Sequence, residues 1–373
     1  MPLFLLSVPV LVTLYLTYRY YPSLGGRPNK LQKHKAAQSA NHDHAKNRFI
    51  NYIPTPMDMD SGAMRSMLRD QFNRSITAAA KPSKTLKLKT PSLPGGAHDE
   101  PRVTWLGHSS MLVYLAGKTI LLDPMFGKAA SPFSSVGPKR FKADQPYKVE
   151  DLPKVDIVCI SHDHYDHLDY PTIKKLSKMV QMFFVPLGVG AHLERWGVSP
   201  SHITELDWWE ERMFQGLKFA CTPARHFSGR TLTDRARTLW ASWVVIDTHT
   251  RLFFSGDTGY GPHFKKIGQK YGPFDLTMME CGQYDRRWPN IHMQPEQTAQ
   301  AHIDVRGARL LPMHWGVFKL AFHGWSESVE RLLAAAKQHG STVVTPALGQ
   351  TIAIKGALQP AVTSAWWEAY KNA

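Results

Sequence analysis

The stretch VDIVCISHDHYDH, residues 155–167, joins an apolar run to a cluster of histidines and aspartates. The apolar part is rich in Val and Ile, which is typical of a buried β-strand. His162, His164, Asp166 and His167 follow it in the spacing H-x-H-x-D-H. Imidazole nitrogens and carboxylate oxygens are natural ligands of zinc and related divalent ions. The stretch therefore predicts a strand that ends in a metal site, with His162 and His164 on one ion and Asp166 and His167 on another.

Three more candidate ligands occupy similar places further along the chain. His226 follows the short apolar run FACTPA, Asp257 follows RLFFSG, and His314 follows RLLPM. Strand ends that meet at one edge of a sheet would bring these side chains to the histidine cluster. A carboxylate can bridge two metal ions, which suits Asp257. We therefore expect a binuclear centre.

Two hairpin-like segments predict that the body consists of two similar halves. VTWLGHSS, MLVYL and TILLDP lie within residues 103–124, and SWVVID and RLFFSGDT lie within residues 242–258. Both hairpins end near an aspartate, which suggests an internal duplication. Predicted helices near 171–179, 295–304 and 327–338 alternate with further strands. The fold class is therefore α/β, with helices covering the faces of sheets.

Composition excludes several classes of protein. The chain has 373 residues, of which 43% are hydrophobic, and this excludes a wholly disordered chain. Its three cysteines, Cys159, Cys221 and Cys281, are too few and too far apart for a disulfide framework. The formal net charge is +15, and the basic excess per residue is greatest in the first hundred residues. Such an excess suits anionic partners, either lipid head groups or nucleic acid.

The N-terminal sequence favours lipid head groups over nucleic acid as the anionic partner. Residues 2–18, PLFLLSVPVLVTLYLTY, carry no charge, and tyrosines and basic residues follow them. A helix over this run would span ~26 Å, close to the ~30 Å hydrocarbon core of a bilayer. We expect an apolar membrane anchor over 1–24, a basic and partly flexible lead-in over 25–100, and a hydrolase domain over 101–373. The basic residues after the run favour a cytoplasmic catalytic domain. A cleaved signal peptide and an ordinary apolar tail are the alternatives.

The motifs together resemble a known family. H-x-H-x-D-H, followed by a distant His, a Gly-Asp pair and another His, is similar to the metallo-β-lactamase superfamily. The segments GPKRF, HYDHLDY, ELDWWEE and FSGDTGY more specifically resemble N-acyl-phosphatidylethanolamine-hydrolysing phospholipases D. The resemblance covers roughly residues 100–320. It implies an αββα sandwich with a binuclear metal site at one sheet edge.

The resemblance also implies roles for single residues. It implies two Zn²⁺ per chain, with Asp257 bridging the ions, and it places His292 near the substrate phosphate. Asp166 and Asp257 would also hold the attacking oxygen, so that they count with His292 as catalytic. Gln294 and the stretch ECGQYDRRWPN at 280–290 depart from the family pattern, which leaves acyl and head-group preference open. The implied metal ligands are His162, His164 and His226 for one ion, Asp166, His167 and His314 for the other, and Asp257 for both.

Three functions fit these features. The first is a membrane-associated phosphodiesterase that hydrolyses N-acyl-phosphatidylethanolamine-like phospholipids to phosphatidic acid and N-acylethanolamine. The second is another hydrolase of the superfamily, such as a sugar-phosphate lactonase or a nuclease, and the third is a tethered binding protein without activity. The expected partners are a phospholipid substrate and a membrane surface, and a homodimer stays open. No recognisable nucleic-acid module is present, so no specific nucleic acid is expected. His108 is expected to orient a ligand carboxylate.

Overall fold

Two seven-stranded sheets form the framework of the protein in a computed structural model that describes residues 21–57, 59–91, 100–357 and 363–371. The strands are β1 (His42–Asp43), β2 (Arg48–Phe49), β3 (Arg102–Gly107), β4 (Ser110–Leu115), β5 (Lys118–Leu122), β6 (Ile157–Cys159), β7 (Met182–Pro186), β8 (Ile203–Leu206), β9 (Glu211–Phe214), β10 (Leu217–Thr222), β11 (Ser242–Ile246), β12 (Arg251–Phe254), β13 (Leu276–Glu280), β14 (Arg309–Met313), β15 (Thr342–Val343) and β16 (Thr351–Ala353). The first sheet has the order β16-β3-β4-β5-β6-β7-β8, and the second has the order β15-β14-β13-β12-β11-β10-β9.

Each sheet is built in the same way, as the two hairpins predict. In the first sheet β3, β4 and β5 are antiparallel neighbours, and β5 to β8 continue as parallel strands. In the second sheet β10, β11 and β12 are antiparallel, and β12 to β15 are parallel. The short strands β1 and β2 form a separate ribbon. The duplicated halves and the α/β class are therefore confirmed.

The main core lies between the two sheets. Alternate residues of a strand point to opposite faces, so that Ile157 and Cys159 of β6 face this core while Val158 joins a second apolar cluster. Phe184 of β7 stacks on Phe219 of β10 across the interface, with ring centroids 4.2 Å apart. Both faces of the first sheet are covered, which explains why its parallel strands read as continuous apolar runs.

Helices cover the outer faces. They are α1 (Lys30–Ala37), α2 (Ser61–Phe72), α3 (Arg74–Ala79), α4 (Tyr170–Leu176), α5 (Gly190–Arg195), α6 (His263–Tyr271), α7 (Pro295–Asp304) and α8 (Glu327–Gln338), with short 3₁₀ turns at Pro22–Leu24, Val149–Asp151, Pro200–His202 and Trp366–Tyr370. The predicted bounds of α7 and α8 are confirmed. The Asp169 side chain accepts the Thr172 amide and caps the start of α4, which ends at Leu176, earlier than the predicted 179.

Residues 22–51, which span the end of the predicted anchor and the start of the lead-in, make defined contacts with the body. Trp196 donates its indole N–H to the Pro22 carbonyl at 2.8 Å, and Arg230 donates to the Ser23 carbonyl. Asn51 donates its side-chain amide to the His226 carbonyl at 2.8 Å and accepts the His226 backbone N–H. This segment therefore supports the loop that carries a candidate metal ligand.

Residues 1–20 of the predicted anchor lie outside the described residues, so the anchor stays a prediction, while its last residues form the 3₁₀ turn Pro22–Leu24 on the body. In the ranges that the structure describes, every helix is too short or too polar to cross a bilayer.

Candidate metal centre

The sheets bring all seven predicted ligands to one edge. His162, His164, Asp166 and His167 lie in the loop between β6 and α4. The other three follow strand ends of the second sheet, with His226 after β10, Asp257 after β12 and His314 after β14. Parallel neighbours such as β12, β13 and β14 end at the same edge, which places these side chains opposite the histidine cluster.

The first group of side chains consists of His162, His164, His226 and Asp257. Their ligand atoms all lie within 4.8 Å of one another. His164 Nδ1 is 2.9 Å from His162 Nε2 and 3.3 Å from His226 Nε2. Asp257 Oδ2 is 3.8 Å from the Nε2 atoms of both His162 and His226. Three imidazoles and one carboxylate therefore surround a common point.

The second group consists of Asp166, His167 and His314, with His108 beside them. His167 Nε2 lies 3.4 Å from Asp166 Oδ2 and 3.1 Å from Asp257 Oδ2. The other oxygen of Asp257 lies 3.1 Å from His314 Nδ1. Asp257 therefore stands between the two groups, in the position that a bridging carboxylate needs.

Neighbouring side chains orient the imidazoles. Asp123 accepts from His167 Nδ1 at 2.7 Å and from the Ser161 hydroxyl at 2.5 Å. Because that hydroxyl is already donating, it accepts from His162 Nδ1, and the Ile291 carbonyl accepts from His226 Nδ1. These contacts assign the protons to Nδ1 and leave the Nε2 lone pairs of all three rings directed at the centre.

His108 makes the carboxylate contact that the sequence predicts for it. Its Nε2 donates to Asp166 Oδ2 at 2.9 Å, so it orients a candidate ligand carboxylate. Its φ is 50°, and the φ of His314 is 66°, so both residues lie in the left-handed region that side chains rarely adopt. Such backbone strain persists only where the surrounding structure enforces it, as it does at sites of this kind.

The residues present fit a pair of divalent cations. His167 Nε2, His314 Nε2 and Asp257 Oδ1 are buried and lack a hydrogen-bond partner among the described residues. Burial raises the pKa of Asp257 to about 6, because a carboxylate is costly in a dry site. Burial also lowers the pKa of His162 well below its usual range, which keeps that ring neutral as a metal ligand must be. Bound cations would supply the missing partners for these atoms.

His292 stands beside the two groups and has a partner, Glu280, that no sequence motif indicates. Its ring stacks on His314 at a centroid distance of 5.1 Å, and its Nδ1 lies 2.9 Å from Glu280 Oε2. Glu280 is fully buried at the end of β13, and its other oxygen accepts the Met293 amide at 2.7 Å. The only sign of this residue in the sequence is an acid that closes the apolar run FDLTMME.

A cavity of about 240 Å³ opens above the centre. His164, His226 and His292 contribute its polar floor. Its walls are mainly apolar and come partly from the lead-in and from the divergent 280–294 region. They comprise Met57, Met59, Phe227, Trp288, Ile291 and Leu320.

Comparisons with known proteins agree with this fold. Residues 118–315 match the family model of the beta-lactamase superfamily domain. The chain is 43% identical over 324 residues to an uncharacterised protein of Mycobacterium tuberculosis, covering 86% of this chain and 85% of the relative. It is 38% identical over 229 residues to an N-acyl-phosphatidylethanolamine-hydrolysing phospholipase D of Caenorhabditis elegans, covering 58% of this chain and 64% of the relative.

A solved structure shares the fold. Igni18, a metallo-hydrolase from the archaeon Ignicoccus hospitalis, has a TM-score of 0.54 to this chain at 20% sequence identity. The match covers 69% of this chain and 99% of Igni18.

Proposed function

The chain belongs to the metallo-β-lactamase superfamily of metal-dependent hydrolases, and on this premise we propose that it is a binuclear phosphodiesterase of the phospholipase D type. The observation that carries the proposal is the pairing of His292 with Glu280 beside the seven candidate ligands, under a mainly apolar cavity. The proposed substrate is a membrane phospholipid of the N-acyl-phosphatidylethanolamine kind, as the Caenorhabditis relative's name suggests.

The proposed metal site uses the seven residues of the two groups. His162, His164 and His226 would hold one ion, Asp166, His167 and His314 the other, and Asp257 both. Two bound Zn²⁺ ions would polarise the phosphate and make a water-derived nucleophile available at neutral pH. Asp166 and Asp257 face the cavity, so they can also orient the attacking water by accepting its hydrogens.

The Glu280–His292 pair supplies a hydrogen-bond donor. Burial raises the pKa of Glu280 well above its usual range and lowers the pKa of His292. A buried pair with a net negative charge is therefore disfavoured. Two arrangements are neutral overall: a protonated Glu280 with a neutral His292, and a Glu280 carboxylate with a His292 imidazolium. In both arrangements His292 Nε2 carries a proton. This N–H can bond a phosphate oxygen and then pass its proton to the departing alkoxide, while a protonated Glu280 passes its own proton to Nδ1. A proton released from the attacking water then restores the pair.

The reaction is a simple hydrolysis. Water oxygen forms a new bond to phosphorus, and the phosphorus–oxygen bond to the head group breaks. The phosphate stays on diacylglycerol as phosphatidic acid, and the head group leaves as an alcohol. The apolar walls contributed by Met57, Phe227 and Leu320 would hold lipid carbon atoms and keep bulk water from the phosphate.

The outer face of α2 supports delivery of a substrate from a membrane. Met64, Leu68 and Phe72 follow one another at four-residue spacing and are 61%, 62% and 78% exposed. Arg65 and Arg69 are exposed on the same helix, so the face is apolar and basic. That combination suits the surface of an anionic bilayer.

The same helix is fixed at the cavity. Arg287 donates to Ser66 Oγ at 3.1 Å and pairs with Asp70 at 3.0 Å on the inner face of α2. Its neighbour Trp288 lines the cavity, and Met59 leads from the cavity into α2. A bilayer on the outer face would therefore lie next to the entrance. We also propose that residues 2–18 tether the chain to the membrane, with the catalytic domain on the cytoplasmic side.

Labelled water tests the proposed reaction. The metal-loaded protein is offered vesicles with N-acyl-phosphatidylethanolamine or plain phosphatidylethanolamine in H₂¹⁸O, and the products are identified by mass spectrometry. Label in the phosphate of phosphatidic acid supports the proposal, and the two substrates report the N-acyl requirement. Diacylglycerol, lysolipid or no lipid product, with fast hydrolysis of a lactone or RNA instead, would favour another hydrolase of the superfamily.

A further inference from the structure

A second cavity, of about 400 Å³, lies on the other side of the metal-binding loop. Asp163 lines this cavity, whereas its neighbour His164 lines the cavity at the metal centre. The two cavities have no lining residue in common. The remaining walls of the second cavity come from Leu24 and the lead-in, from Gly188 and α5, and from the loop at 231–238. It is therefore a separate space, and the reaction proposed above makes no use of it.

Its side chains are strongly basic. Arg27, Lys33, Arg195 and Arg237 line it. Within the described ranges, Arg27, Lys33 and Arg237 form no ion pair. The hydroxyl of Thr231 lies among them as a further hydrogen-bonding group.

The two acids of the cavity accept hydrogen bonds from neighbouring groups. Asp163 accepts from the Gly229 amide at 2.7 Å, from the Thr238 hydroxyl at 2.8 Å and from His192 Nε2 at 3.2 Å. Asp234 Oδ1 accepts the backbone amides of Arg230 and Thr231 at 3.0 and 2.8 Å. These contacts hold the acids in place, and the four basic side chains outnumber the two acids, so the lining of the cavity carries a net positive charge.

Tight packing builds the wall next to His192. The Gly26 amide donates to His192 Nδ1 at 3.0 Å. A Cβ at Gly25 would lie 2.1 Å from that nitrogen, and one at Gly26 would lie 1.9 Å from the Ala191 carbonyl oxygen. The Gly-Gly pair therefore allows the lead-in to close over α5 and form the cavity.

We propose that the second cavity binds a phosphate monoester. One guanidinium group can donate two parallel hydrogen bonds to two phosphate oxygens. Several arginines in one cavity therefore suit a doubly charged phosphate. The volume exceeds that of a bare phosphate ion, and Leu24, Pro28 and Ala36 provide an apolar wall for the organic part. The phosphate can belong to a small soluble ester or to the head of a phosphatidate. This proposal does not depend on the reaction at the metal centre.

Calorimetry with sn-glycerol 3-phosphate tests the soluble source. Phosphate also binds at metal centres, so the metal-loaded wild type is expected to bind two equivalents. The variant Arg27→Gln/Arg237→Gln should lose the cavity equivalent, with affinity there falling about tenfold for each cation removed. Lys33→Gln alone should weaken binding of sn-glycerol 3-phosphate in the second cavity by about tenfold. The control Lys139→Gln/Lys178→Gln removes two exposed charges outside the cavity and should bind as the wild type does.

Vesicles test the lipid source. Binding to vesicles with phosphatidate is compared with binding to vesicles of equal charge made with phosphatidylglycerol. A preference for phosphatidate that Arg27→Gln/Arg237→Gln removes, while the control keeps it, supports the proposal with a lipid ligand. If neither probe binds in a way that depends on Arg27, Lys33 and Arg237 in correctly folded variants, the proposal is wrong. Asp257→Asn should leave this binding intact, which separates the proposal from the metal chemistry.

Discussion

Glu280 is expected to act on the reaction only through His292. Glu280→Met keeps the approximate volume of the side chain but removes both oxygens, so His292 Nδ1 and the Met293 amide lose their partners at 2.9 and 2.7 Å. A hydrogen bond to a charged group is worth about 1.5–3 kcal/mol, which corresponds to a loss of about 10- to 150-fold in kcat. Glu280→Gln can occupy both contacts, because its oxygen accepts the amide and its NH₂ donates to Nδ1. We therefore expect it to retain a rate within about tenfold of the wild type.

A double-mutant cycle with His292→Ala tests whether Glu280 and His292 act as a unit. The rate is measured on a soluble phosphodiester, and metal content and thermal unfolding are measured beside it. In the His292→Ala background Glu280→Met should cost less than about twofold, because residues that act as a unit are not additive. Glu280 does not act through His292 if the two losses multiply, if Glu280→Met turns over like the wild type, or if Glu280→Met loses metal. Loss of metal would make Glu280 a ligand, as its place within 4.8 Å of Asp257 and His314 allows.

Three further predictions concern the metals and the membrane. Asp257→Asn should lose metal from both positions and abolish turnover, whereas His292→Ala should keep both metals and lose rate; equal metal loss in the two variants would contradict the assigned roles. Replacing Met64, Leu68 and Phe72 with Gln should weaken binding to anionic vesicles at least about tenfold while turnover of a soluble diester persists. The control Val136→Gln/Met213→Gln changes two exposed apolar residues elsewhere and should bind as the wild type does. Deletion of residues 1–20, which spares the contacts of Pro22 and Ser23, should leave a protein that salt releases from membranes, whereas the full chain should resist a high-salt wash. A full chain that is wholly soluble would argue against the anchor.

Local patterns were sufficient to predict the framework. The apolar run before His162 predicts β6, and Asp123 and Asp257 mark equivalent places in the two halves of the sandwich. The bounds of α8 follow from its helical periodicity and the glycine at Gly340. The seven ligand candidates converge because each follows a strand, and parallel strands end at one edge. Their role as ligands remains a prediction.

Local sequence patterns do not predict contacts between segments that are distant in the chain. Glu280 and His292 are separated by a loop, and nothing in FDLTMME indicates that its last residue will meet a histidine. The contact of Asp123 with His167 depends on the pairing of β5 with β6, which the sequence does not reveal. The lead-in is polar and rich in proline, and such a composition does not predict tertiary contacts. It therefore gives no sign that Asn51 supports His226 or that Arg27 lines the second cavity.

Metal reconstitution shows whether the chain holds two catalytic metal ions. The protein is stripped with a chelator, and zinc is returned in measured amounts while bound metal and phosphodiesterase activity are followed together. The account predicts that two equivalents of zinc bind per chain and that activity reaches its plateau at the second. A stripped protein that keeps its activity, or one that binds no transition metal and regains no activity with added zinc, would contradict it.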